Sequence, residues 1–209
     1  MAYLQPAEFA TKMVDAGEAK IYMSTRDTLI RAFMACTILA LAAVFAITVA
    51  VQTGVFLIGA VLFPIGFCML YLMGFDLLTG VFMLTPLAWL AKRPGVTPSQ
   101  ILRNWGFVFL GNFAGALTVA FMMSYIFTMG YNVDGGAIAT KVASIGEART
   151  LGYAEHGVAG WITIFIRGML CNWMVSLGVV GAMISTHVSG KVLAMWFPIM
   201  LFFFMGFEH

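Results

Sequence analysis

Met73-Gly74-Phe75-Asp76-Leu77-Leu78-Thr79-Gly80 lies in the middle of an apolar stretch, residues 55–90, that is too long for a single membrane crossing. About 36 residues rising 1.5 Å each reach about 54 Å, whereas bilayer hydrocarbon is about 30 Å thick. Tilt does not absorb that excess. Two glycines, a carboxylate and a hydroxyl stand where a lipid-facing helix would carry Leu or Val. The stretch therefore reads as a half-helix, an irregular loop between Gly74 and Gly80, and a second half-helix over about 81–90. Irregular backbone at membrane depth survives only when packed in protein or lining a cavity.

Outward from this loop, the rest of the chain is read as further spans. Residues 29–51, 105–129 and 157–184 each supply the roughly 20 apolar residues a crossing needs. A further span begins near residue 192 and is cut off at His209. The composition agrees: 62% of the 209 residues are hydrophobic and 10% charged, against about 25% charged in soluble domains. The expected class is an all-α membrane protein. A net charge of +2 with no Lys/Arg run gives no reason to expect a nucleic-acid partner.

The loop has a second copy. Met73-Gly74-Phe75-Asp76 matches Met205-Gly206-Phe207-Glu208 at an offset of 132, and Phe63-Pro64-Ile65 matches Phe197-Pro198-Ile199 at 134. Ile30-Arg31 matches Ile166-Arg167 at 136. Three matches in one order define a repeat of three spans, and an odd number of spans inverts the second copy. Inverted repeats with broken helices mark transporters and channels, with the site at the repeat interface near the midplane. The expected division is a lead-in segment, 1–27, and a transmembrane pore domain, 28–209, with repeat one at about 28–129 and a truncated repeat two at about 157–209. A half-helix and a sixth span are expected to follow His209, so the chain is read as a fragment.

Cations set the orientation. With the N-terminus inside, Lys12, Lys20, Arg26, Arg31, Lys92, Arg93, Arg103 and Lys191 fall on the inner side, and Lys141 and Arg149, in the 130–156 loop, on the outer side. Arg167 falls in the outer third of the fourth span. Eight against two predicts a cytoplasmic N-terminus in the inner membrane. The first 27 residues mix Glu8, Lys12, Asp15, Glu18, Lys20, Arg26 and Asp27, so they are no signal peptide. They read as an amphipathic segment with Phe9, Met13 and Val14 on one face. Cys36, Cys68 and Cys171 lie in apolar stretches at spacings that match no zinc or haem signature, and neither a metal nor a cofactor is expected.

Four motifs resemble the formate/nitrite transporter family. Gly74-Phe75-Asp76-Leu77-Leu78-Thr79-Gly80 resembles the family's second-span loop, and Gly111-Asn112-Phe113-Ala114-Gly115-Ala116 its third-span motif. Arg167-Gly168-Met169-Leu170-Cys171-Asn172-Trp173 resembles the fourth-span signature, and Gly206-Phe207-Glu208-His209 the start of the fifth-span loop. The resemblance implies an aquaporin-like protomer of six spans, a homopentamer in the lipid bilayer, and one pore per protomer. The implied substrates are small monovalent anions such as formate, nitrite and hydrosulfide, with no enzymatic chemistry. One departure stands out: the outer vestibule position that usually carries Lys holds His156.

By the resemblance, His209 is the central pore histidine, and an imidazole there is able to hydrogen-bond a weak-acid anion or hand it a proton. Thr79 is expected to hydrogen-bond His209 across the pore, or to cap the half-helix behind it. Asn172 would support the same network, or serve a helix–helix hydrogen bond. Phe63, Phe67, Leu77 and Phe202 match constriction positions. Lys20 matches a basic residue at the cytoplasmic entrance, where it would also serve as an ordinary juxtamembrane anchor. Asp76 and Glu208 are costly carboxylates at membrane depth. A carboxylate facing the substrate would repel an anion, so each is expected to cap its loop by accepting backbone N–H bonds. Gly80 and Trp173 lean the substrate reading slightly toward nitrite.

Two other classes share features with this pattern. An aquaporin-type water or small-solute channel would carry Asn-Pro-Ala at both half-helix starts, and there is none. A haem- or quinone-binding anchor subunit of a redox enzyme would carry paired His at helical spacing within its spans. His156 and His187 fall near span boundaries, and only His209 lies deep.

Overall fold

The computed structural model describes residues 3–209. Nine helices follow one another among them: α1 (Pro6–Tyr22), α2 (Thr25–Thr53), α3 (Phe56–Leu62), α4 (Pro64–Leu72), α5 (Leu78–Leu90), α6 (Pro98–Phe127), α7 (Gly136–Ala154), α8 (Gly157–Ile184) and α9 (Val188–Phe204). Three of them, α2, α6 and α8, are 28–30 residues long and apolar enough to cross a membrane. Sharp local signals set their ends. The Ser24 hydroxyl accepts the Asp27 N–H and caps α2, and Gly54 closes it at φ 70°. Thr97 and Gln100 form a capping box on α6, with Pro98 in its first turn; both devices satisfy N–H groups that have no partner inside a helix.

The long second stretch is broken where its composition breaks. The α-helical ladder ends at Leu72, resumes at Leu78, and is interrupted earlier at Phe63–Pro64, where proline has no N–H to offer the ladder. The repeat-related Pro198 sits inside α9 without dividing it. Two expectations are corrected here. The second half-helix starts at Leu78 rather than near 81, so Thr79 lies in its first turn and does not cap it. The 130–156 loop is no loop: it is mostly the 19-residue helix α7.

α1 lies at one end of the bundle, against α5, and reaches α8, where Leu4 N–H bonds the Ile184 carbonyl. α7 lies at the opposite end, against α2 and α8. The core forms where the broken helices of the two repeats meet. Phe63, Phe67 and Leu70 from the first and Met195, Ile199 and Phe202 from the second close on Ala35, Leu39 and Ala42 of α2 and Val175 and Val179 of α8. Phe121 and Trp161 are exposed on the outside of the bundle, whereas Phe109, Phe113 and Phe165, also exposed, border a cavity between α5, α6 and α8.

Candidate functional site

Each broken loop turns through a left-handed glycine, Gly74 at φ 74° and Gly206 at φ 64°, a conformation only glycine adopts without strain. In each loop an arginine from the first span of its own repeat reaches that turn. Arg31 donates to the Gly74 carbonyl at 3.4 Å, and Arg167 donates to the Gly206 carbonyl. The pairs Arg31/Arg167 and Gly74/Gly206 are the repeat-related residues of the sequence, so the internal symmetry extends to side-chain contacts.

Asp76 is buried and ion-paired with Lys20 of α1. Its carboxylate is expected to cap the loop; the partner found among the described residues is the Lys20 ammonium, and the α5 N-cap residue is Leu77, which has no polar side chain to offer. The α5 start is held instead by Asn112, whose Oδ1 accepts the Leu78 N–H at 2.9 Å. Its Nδ2 donates to the Ala32 and Asp76 carbonyls at 2.8 and 2.9 Å. One amide thus ties α6 to α2, the loop and the half-helix. Asp76 pairs with Lys20 because α1 lies flush on α5, where a Cβ on Gly17 would stand 2.0 Å from the Leu84 carbonyl oxygen.

Glu208 likewise serves side chains. It accepts the Tyr153 hydroxyl at 2.7 Å and lies 3.6 Å from Arg149 and 3.7 Å from Arg167. Desolvation, then the hydrogen bond to Glu208 and its charge, push the Tyr153 hydroxyl up from its ordinary value against the pull of the two guanidinium groups. Tyr153 therefore remains a protonated donor at neutral pH.

Thr79, Asn172 and His209 line one cavity of about 660 Å³, together with Cys36, Asn112 and Glu208. The expected Thr79–His209 hydrogen bond is absent: Thr79 Oγ1 and Asn172 Oδ1 are buried without partners, and the His209 ring stacks on Phe202 at 5.3 Å. Two unpaired polar oxygens beside an imidazole, in walls that are otherwise largely apolar, form a place that can exchange hydrogen bonds with a small polar guest. The four expected constriction residues are all buried and divide two and two. Phe67 and Leu77 line a cavity of about 250 Å³ on the α1 side, shared with Lys20 and Asp76. Phe63 and Phe202 line one of about 240 Å³ on the α7 side, shared with His209 and Arg149. His156 is exposed on the turn between α7 and α8 and lines none of these cavities. Trp173, at 60% exposure, lines none of these cavities. Cys68 and Cys171 are buried and Cys36 is half-buried; all three are free.

The sequence profile of the family described as "Formate/nitrite transporter" matches residues 7–209. The chain belongs to the formate/nitrite transporter family. It is 28% identical to the formate channel BtFdhC of Bacillus thuringiensis over 215 residues, which covers 100% of this chain and 78% of that one. Its fold matches a solved "FNT family ion channel" with a TM-score of 0.81 at 22% identity, over 97% of this chain and 78% of that one. It also matches a "pentameric formate channel with formate bound" with a TM-score of 0.71 at 22% identity, over 88% and 70%. The architecture is accordingly that of the family's helical membrane channels.

Three residues around this family fold were not singled out from sequence: Asn112 as the loop clamp, and Arg149 and Tyr153 as partners of Glu208. Asn112 carried a signal, since it stands in a Gly-Asn motif opposite the broken loop. Arg149 and Tyr153 had only the repeat to point to them, because the second copy of Lys20 had to come from whatever precedes the fourth span.

Proposed function

We propose that this chain forms the pore of a channel for a small monovalent anion, formate or nitrite, across the inner membrane, with a cytoplasmic N-terminus, and that it works as a homopentamer. The observation that carries this reading is the convergence of Thr79, Asn172 and His209 on one cavity, flanked by Phe67 and Leu77 on one side and Phe63 and Phe202 on the other. Membership of the family and the formate-channel relative support an anion as the substrate. The pentameric neighbour supports the assembly, and the eight-to-two distribution of Lys and Arg supports the orientation. Of the two residues behind the lean to nitrite, Trp173 lines none of these cavities, so formate stands level with it.

In this reading apolar rings strip water and reject hydrated cations. The anion enters against the positive end of a half-helix, meets Thr79 and Asn172, and receives a proton from His209 that lets a neutral acid cross the next ring. Anion entry favours the imidazolium, so anion binding and proton uptake promote each other. The test is anion flux into liposomes containing the full-length protein, between about pH 5 and 8. His209→Asn keeps hydrogen-bonding shape without a proton to give, and its flux is expected to lose the wild-type pH dependence. A retained pH profile would reduce His209 to a hydrogen-bonding wall.

A further inference from the structure

Apart from Ala116, two residues line both the cavity of about 660 Å³ that holds Thr79 and Asn172 and the cavity of about 240 Å³ that holds Phe63 and Phe202. They are Cys36 of α2 and His209. The repeat accounts for the place of Cys36. Arg31 of α2 matches Arg167 of α8, and five residues beyond them stand Cys36 and Asn172. Equal steps along two matched helices reach corresponding faces, so the symmetry that brings Asn172 to the cavity from α8 brings Cys36 to it from α2.

The three thiols are not equivalent. Cys68 and Cys171 are buried and line neither cavity, and Cys68 Sγ donates to the Val192 carbonyl at 3.9 Å. Cys36 is half-buried and borders both. Beside it, the Thr79 Oγ1 and Asn172 Oδ1 atoms are buried without partners. A wall with unpaired polar atoms is suited to a guest rather than to a sealed core.

We infer that Cys36 and His209 form a site for a soft, two-coordinate metal ion, an inhibitory rather than a resident one, and that filling it closes the pore. This rests on the proposed anion-channel reading. Sulfur and imidazole nitrogen are the donors that soft ions prefer. Among the described residues no three His, Cys, Asp or Glu gather to hold a metal. That suits a linear ion such as mercury(II) or silver(I) and not tetrahedral zinc. Apolar rings exclude hydrated cations, so the ion enters as a neutral molecule, mercuric chloride. The Cys36 S–H bond breaks, an S–Hg bond replaces one Hg–Cl bond, and a proton and a chloride leave. The His209 nitrogen displaces the second chloride, and no electron is transferred. Metal at this junction obstructs both cavities and removes the imidazole from proton exchange.

The test is formate flux into liposomes containing the full-length protein, with mercuric chloride as the probe and each variant compared with its own untreated rate. Wild type is expected to lose most of its flux and to regain it when excess small thiol removes the metal. Cys36→Ser is expected to keep its flux; block that persists in it overturns the assignment. His209→Asn is expected to recover at a lower thiol concentration than wild type, and identical recovery overturns the two-donor site. A readout on the wild type avoids any folding defect of the variants. Methyl methanethiosulfonate, small and neutral, is expected to label Cys36 ahead of Cys68 and Cys171, as read by peptide mass spectrometry, and prior mercuric chloride to prevent it. Equal labelling of the three thiols overturns the placement of Cys36. If untreated wild-type flux is absent for formate and nitrite alike, the anion-channel reading fails and this inference fails with it, whereas normal flux that mercuric chloride leaves unchanged sinks this inference alone.

Discussion

The two broken loops are built from the same parts and stabilised differently. Both turn at a left-handed glycine whose carbonyl takes an arginine from the repeat's own first span. The first loop is closed tightly, with Asp76 buried against Lys20 of α1 and one amide, Asn112, holding backbone from three elements. The second distributes its carboxylate over Tyr153, Arg149 and Arg167 and puts His209 where the first has Leu77. Duplication thus supplied a common frame, and the copies diverged in how many partners share one buried charge. A carboxylate with a single partner is a fixed structural element, whereas one with three can release a partner at little cost.

The largest effect is expected from the clamp that defines the first loop. Asn112→Leu leaves the Ala32 and Asp76 carbonyls and the Leu78 N–H without their side-chain partner, at about 1–3 kcal/mol for each group left buried and unsatisfied. A fall in the thermal midpoint of roughly 10 °C or more and loss of anion flux are expected. A thermal midpoint within a few degrees of wild type would show that the loop is held by packing instead.

Next comes the contrast of the ion pairs. Lys20→Met strands a buried carboxylate and is expected to cost about 3–5 kcal/mol, most of it recovered when Asp76→Asn is added. Arg149→Gln is expected to cost under about 1 kcal/mol, since that guanidinium is partly exposed and Glu208 retains two partners. Equal losses in chemical-denaturation midpoints of the full-length protein would erase the difference between the loops.

Below that lie the glycines. Gly74→Ala and Gly206→Ala both force an L side chain into a left-handed turn, about 1–2 kcal/mol each. A Cβ at Gly206 would also stand 3.2 Å from Arg167 Nη2, against 3.9 Å from Arg31 Nη1 at Gly74. Gly206→Ala should therefore be slightly the worse of the two in thermal melts, and the reverse order would mean that the second loop relaxes more easily.

How far this was legible in the sequence follows from the physics of each feature. Spans and the break at 73–77 were legible because bilayer thickness is a ruler and Gly, Asp and Thr have no reason to stand in lipid. The repeat was legible through Arg31/Arg167 and Gly74/Gly206. α7 was not, because its residues are small and mixed, none is buried, and no apolar stripe marks a face. The partners of Asp76 and Glu208 were not, because a carboxylate at depth announces only that it needs satisfying; whether backbone or a cation does so depends on where α1 and α7 fold back. His156 was expected at the vestibule from the family resemblance, and it sits on an exposed turn outside the cavities that hold Thr79, Phe63, Arg149 and His209.

A further small effect is the most specific to the second loop. Tyr153 gives Glu208 its only neutral partner among those described, at 2.7 Å, and Tyr153→Phe removes that hydroxyl without removing the ring. With Arg149 and Arg167 still in place the expected cost is about 1 kcal/mol, that of one hydrogen bond to a charged acceptor in a half-buried setting. The pH dependence identifies the source. The Tyr153 hydroxyl is pushed up in the folded protein by desolvation and by Glu208, so its stabilisation is complete below the unfolded value near 10 and is lost as pH rises through the raised folded value. The stability gap between wild type and Tyr153→Phe should therefore stay constant from about pH 6 to 9 and shrink above about pH 10. A gap that instead closed on acidification through the carboxylate range, with no change at alkaline pH, would mean that the hydroxyl matters only through Glu208. No such gap is expected from a tyrosine in the first loop, since Asp76 has no hydroxyl partner there.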